Sequence, residues 1–181
     1  MKKGIYLSPS LQEHNVGVGN FGTEEKRMNE IADVVELELI RHGQTVFRNK
    51  ESFTLQEAVA DSNKKNAKIH VAIHSNAGGA GKARGCEVFC HKFGFEGEKL
   101  AKSIYSNLSA ITPSADRGVK EGQNYFGKGK PLYETAKTTA VAVLIEVAFH
   151  DSPEDAKWIV GNIKPIGLAI AKGILSYLKV K

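Results

Sequence analysis

His70 and His74 stand four residues apart in the stretch KIHVAIHSNAGG, residues 68–79. On a helix that spacing puts two imidazoles on one face about a turn apart, able to grip one zinc ion. On a strand it separates them by roughly 13 Å, far more than the bonds of about 2 Å to one ion allow. Ile69, Val71 and Ile73 alternate with His70, Ala72 and His74, and Gly78-Gly79 follow, so the segment is predicted to be a strand ending in a loop. The pair is therefore not a two-histidine clamp. Functional groups of α/β sheets gather just beyond strand carboxyl ends, which selects His74 for chemistry and leaves His70 a structural histidine.

A metal on His74 needs partners from elsewhere in the chain. Glu24 lies four residues before Met28 and seven before Ile31, so it shares the inward stripe of its helix, where an unpaired carboxylate is costly. Its other reading is a carboxylate placed at the positive end of a helix dipole. Glu25 turns about 100° away, toward Asn29. His14 sits in the Gly- and Asn-rich loop SPSLQEHNVGVGNFG, the kind of segment that carries function more often than packing. Glu146, in AVLIEVAFHD, is a carboxylate inside an almost wholly apolar strand, a position costing several kcal/mol unless it is paired, hydrogen-bonded or protonated. It reads as a catalytic glutamate in preference to a hydrogen-bonded core residue.

These residues must be held by an α/β framework. Short β-type runs at 4–7, 45–48, 69–74, 86–90 and 140–149 are separated by helical patterns. The first helix has Thr23 as cap, the stripe Met28, Ile31, Val35 and Leu39, and Gly43 at its end. The second opens with the capping box Thr54 to Glu57. Leu100, Ile104, Leu108 and Ile111 mark a third, before the turn TPSADRG. The Gly- and Lys-rich stretch GVKEGQNYFGKGKPLYE reads as a loop region able to wall a cleft. After it, Ser152 caps and Pro153 starts a helix that Gly161 and Pro165 break in two, with Ile166, Ile170, Ile174 and Leu178 packing the second half. The expected fold is a single three-layer α/β domain over residues 1–181, with a mostly parallel or mixed twisted sheet of about five to six strands flanked by helices.

Composition sets the outer limits. A hydrophobic share of 41% and a charged share of 25% are those of an ordinary globular chain, and no apolar run nears the roughly 20 residues that span a bilayer, so no membrane is expected. The net charge of +5 is spread without a dense Lys/Arg block, which suits an anionic polymer such as a cell wall better than nucleic acid. Cys86 and Cys90 on one strand lie about 13 Å apart, beyond disulfide reach, and read as buried thiols.

GTEEKRMNEIA, VAIHSNAGG, RGVKEG and LYETAKTTAVAVLIEVAFHDSPEDA resemble the zinc-dependent N-acetylmuramoyl-L-alanine amidases of the amidase 3 type, over nearly the whole chain. The resemblance implies Zn2+ held by His74 and a helix-start glutamate, Glu24 or Glu25, with Glu24 favoured by its inward stripe. It implies Glu146 as general acid/base and peptidoglycan as substrate, cut at the amide between N-acetylmuramic acid and L-alanine. The family's Asp-Pro-Gly-His after the first strand is replaced here by LSPSLQEHN, which leaves His14 as the first-loop histidine for the remaining ligand, with His150 as the alternative. A zinc peptidase or deacetylase on another amide, and a non-catalytic wall-binding module, are the competing functions. MKKGIYLSPSLQEHN lacks the hydrophobic stretch of a secretory signal, so access to the wall is expected on phage or mother-cell lysis, as an endolysin or autolysin.

Overall fold

The computed structural model describes residues 3–78, 81–114 and 117–179; Gly79, and Ala115 and Asp116 of the TPSADRG turn, lie outside the described residues. Alternating β-branched residues draw β3 (Ile69–Asn76) and β6 (Val141–Phe149) into the centre of a six-stranded sheet ordered β2-β1-β3-β6-β4-β5. β1 (Ile5–Pro9) and β2 (Val46–Arg48) extend it in parallel on one side. On the other, β4 (Glu87–Cys90) runs antiparallel to β6, and β5 (Val119–Glu121) runs parallel to β4. The sheet is thus mixed, with one reversal.

Period-two alternation gives the sheet two different faces. Ile5, Leu7, Ile69, Val71, Ile73, Val143, Ile145 and Val147 turn to one side and join the main core with α1 (Glu24–Arg41), α3 (Glu96–Ser109) and α6 (Ile163–Leu178). The second face carries Tyr6, His70, Ala72, His74, Leu144 and Glu146, and is covered by α2 (Leu55–Lys64), α4 (Tyr133–Lys137) and a small cluster of Ala72, Phe89, Leu132 and Leu144. Both histidines of β3 and Glu146 of β6 lie on this thinner side.

Caps fix the helix starts that matter. Thr23 accepts from the Lys26 amide at the head of α1, which seats Glu24 in its first turn, and Thr54 and Glu57 close a reciprocal capping box on α2. α5 (Pro153–Gly161) begins with Pro153 behind the Ser152 cap, and α6 departs from it at 79°, with Pro165 accommodated in the first turn of α6. The stretch read as loop at 118–134 contains two regular elements, β5 and the start of α4; at three and five residues both are too short to display a period. Cys86 and Cys90 are buried and form no disulfide with each other.

Close approach of α6 to its neighbours depends on glycine. A Cβ on Gly173 would stand 2.5 Å from the Ile104 Cα, whereas one on Gly161 would meet nothing within 4 Å. Gly173→Ala is expected to destabilise the fold by about 1–3 kcal/mol in urea titration, with Gly161→Ala at or below 0.5 kcal/mol. Equal effects at the two positions would contradict this packing.

Candidate active site

The carboxyl ends of β1, β3 and β6 open into a cavity of about 420 Å³, whose lining includes Ser10, Leu11, Gln12, His74, Leu132, Glu134 and Glu146. The stretch 118–134 supplies its outer wall through Tyr125, Phe126, Pro131, Leu132, Tyr133 and Glu134. His74 and Glu146 are direct partners in the parallel register of β3 and β6, so the two groups are set side by side by strand pairing alone. After His74 the register shifts through an irregularity before pairing resumes at Asn76 and Phe149.

Glu24, 1% exposed, reaches from the first turn of α1 to this point. Its Oε1 accepts from His74 Nδ1 at 2.9 Å and from the Ser75 amide at 3.3 Å; its Oε2 accepts from Asn15 Nδ2 at 2.7 Å. Burial works to raise the Glu24 carboxyl, but His74, with Asn15 and Ser10, outweighs it and holds the group below the usual carboxylate range. Glu25 does not take part and points away from His74.

The second ring nitrogen of His74 is also engaged. Nε2–H donates to Glu134 Oε2 at 3.4 Å, and the other oxygen of Glu134 accepts from His70 Nε2 at 3.0 Å. Burial disfavours charge on His74, yet Glu134 and Glu24 on its two sides overcome this and raise its pKa well above the usual value. Burial likewise opposes ionisation of Glu134, and the two histidines reverse it, leaving the carboxyl far below its usual range. His70 is fully buried, bonded at Nδ1 to Ser62 Oγ at 3.0 Å and stacked on Tyr6 with ring centres 5.3 Å apart.

Glu146 stands in contrast. Its Oε2 is buried with no hydrogen-bond partner. Burial, the largest influence, pushes its pKa up to about 8; His74 opposes this, while Glu24 and Glu87 add to it. Glu87, opposite it on β4, is ion-paired with Arg117 and Lys120 and accepts a hydrogen bond from Asn76 Nδ2.

His14 is not brought to this cluster. The first loop closes through the bridge Val16 to Thr23, and the Asn15 carbonyl accepts from the Glu24 amide at 2.8 Å, so Asn15 faces inward and its neighbour outward. The His14 side chain is 92% exposed and meets only Glu13, at 3.5 Å. His150 is buried elsewhere, bonded to Ser75 Oγ at 2.9 Å and stacked on Phe21. Sequence reasoning misses Glu134, Asn15, Ser10 and Gln12; Ser10, Gln12 and Asn15 carry a visible cue as polar residues in the same loop as His14, and Glu134 carries none.

A three-layer α/β domain with ionisable groups at the carboxyl ends of its central strands is the architecture of an enzyme that works at a sheet edge. A profile of the N-acetylmuramoyl-L-alanine amidase family matches residues 5–176, and the chain belongs to that family. It is 27% identical to the N-acetylmuramoyl-L-alanine amidase LytC of Bacillus subtilis over 97% of this chain, and spans only 35% of that protein's length. With the uncharacterized protein YqiI of Bacillus subtilis it shares 32% identity over 85% of this chain and 73% of YqiI. The catalytic domain of the amidase CwlV from Bacillus (Paenibacillus) polymyxa var. colistinus superposes with a TM-score of 0.86 at 22% identity, covering 100% of both chains.

The family is zinc-dependent, and the donors here fit zinc at two positions. Two ligands at about 2 Å from one ion stand roughly 3 Å apart, and Glu24 Oε1 and His74 Nδ1 are 2.9 Å apart. Among the described residues no three His, Cys, Asp or Glu side chains converge closely enough to hold an ion.

The pKa of Glu146 yields a signed stability prediction. Because the folded value is raised from 4.5 to about 8, its contribution is fully present at low pH and declines as pH rises through that window. In chelator, Glu146→Gln is therefore expected to gain in melting temperature over the parent as pH goes from 5 to 8; a gap that stays constant across that range would contradict a buried, unpaired carboxyl.

Proposed function

We propose that the chain is an amidase catalytic domain that hydrolyses the amide between the lactyl group of N-acetylmuramic acid and L-alanine in peptidoglycan. The observation that carries the reading is Glu146: a buried carboxyl with an unpartnered oxygen, lining the cavity and paired in register with His74. Glu24 and His74 are the side chains that would hold zinc. When bound, zinc supplies Lewis acidity, polarising a carbonyl and lowering the pKa of water toward 7.

The remaining steps belong to the protein. Glu146 takes a proton from the attacking water as the carbon–oxygen bond forms, then delivers it to the departing alanine nitrogen as the carbon–nitrogen bond breaks. Burial holds the Glu146 carboxyl at about 8, which keeps both its protonation states within reach near neutral pH. Leu11, Leu132 and Leu144 line the same cavity with apolar surface, a low-dielectric setting that strengthens electrostatic contacts. The open mouth along the wall of Tyr125 and Phe126 suits a polymer that enters sideways, and the net charge of +5 favours an anionic wall.

Digestion of purified peptidoglycan, with chelator and with zinc restored, tests the proposal by mass spectrometry. Intact glycan strands and free stem peptides with N-terminal alanine are expected only with zinc. Bound zinc without alanine termini would point to another amide, and neither zinc nor cleavage would leave a wall-binding module. Glu146→Gln is expected to bind zinc as the parent does and to lose about 100-fold or more in kcat; full activity in that variant would remove Glu146 from the mechanism.

A further inference from the structure

Beneath the cavity floor, one chain of hydrogen bonds joins Ser62 Oγ to His70, His70 to Glu134, Glu134 to His74, and His74 to Glu24. We infer that Glu134 is a positioning residue that keeps Nδ1 of His74 open as a metal donor by holding the ring's proton on Nε2, with His70 anchoring Glu134 in turn. The inference rests on the reading that Glu24 and His74 hold zinc.

His74 faces a carboxylate on each side, Glu24 at 2.9 Å from Nδ1 and Glu134 at 3.4 Å from Nε2. A metal at Nδ1 would displace the proton from that nitrogen and leave the ring one N–H, at Nε2. Glu134 Oε2 is the acceptor placed to hold that N–H, and with it the orientation of the ring.

Glu134 has no other evident task. It is 2% exposed, on a helix of five residues, where burying a carboxylate costs several kcal/mol and an apolar side chain could fill the space. Its two oxygens are split between two imidazoles instead of being spent on one. That division explains the four-residue histidine spacing on β3: both rings point to the same face, one beside the cavity and one behind it, tied by a single carboxylate. Partners of this kind on metal-bound histidines fix the tautomer and ring orientation and raise ligand basicity.

The test uses the full chain and zinc alone. In the zinc-loaded parent, side-chain 15N shifts are expected to show His74 metallated at Nδ1 and protonated at Nε2. Glu134→Gln is expected to weaken zinc binding by about 10- to 100-fold in competition with a chromophoric chelator, and to broaden or shift the His74 15N pattern. His70→Ala is expected to move both readouts the same way by less. A merely structural role would change melting temperature without altering the tautomer. Parent-like zinc affinity and an unchanged 15N pattern in Glu134→Gln would overturn the inference while leaving the zinc reading intact. A parent that binds no zinc would overturn the zinc reading itself, and this one with it.

Discussion

The contact between Glu24 and His74 is the constraint around which the rest of the structure is arranged. One partner starts a helix and the other lies near the carboxyl end of a strand, 50 residues apart; Glu24 is buried and His74 is largely so. A buried carboxylate facing an imidazole is stable only if its remaining lone pairs and the far ring nitrogen are also satisfied. Asn15, Ser10 and the Ser75 amide complete the first requirement, and Glu134 the second.

Meeting those needs shapes both layers. The head of α1 must sit against the carboxyl end of β3, which the Thr23 cap and the Met28 to Leu39 stripe achieve by docking the helix on the main core. The opposite face of the sheet can remain thin, because the side chains there are polar and bonded to α2 and α4 instead of being packed by a second large core. In that setting Glu146 is the exception, since it is buried beside the same cluster yet retains an unpartnered oxygen. A group left costly in a site where every neighbour is satisfied is what a proton-transferring role demands.

Much of this was legible in the residue order. The alternation in 69–74 excluded a helical His-x-x-x-His clamp and put His74 at the strand end, and the apolar stripe of α1 distinguished Glu24 from Glu25 by direction alone. Glu146 stood out because charge inside an apolar strand has a cost that needs a reason. Three features were hidden for physical reasons. Glu134 lies on a helix too short for periodicity to reveal, so nothing local told its inward carboxylate from a surface one. β5 is three residues long and gains its order from pairing with β4. In the first loop, side-chain direction is fixed by long-range bonds from Asn15 to Glu24, so the histidine that composition favoured faces solvent and the asparagine beside it faces the site.

In the proposed site a metal is held by one imidazole, not two. X-ray absorption at the zinc edge tests it most directly, because multiple scattering counts the imidazoles bound to the ion. One imidazole, with oxygen donors completing the shell, is the predicted result. Two imidazoles would mean that His14 or another histidine swings into the site on metal binding, and would contradict the assignment of Glu24 and His74 as the protein's two donors.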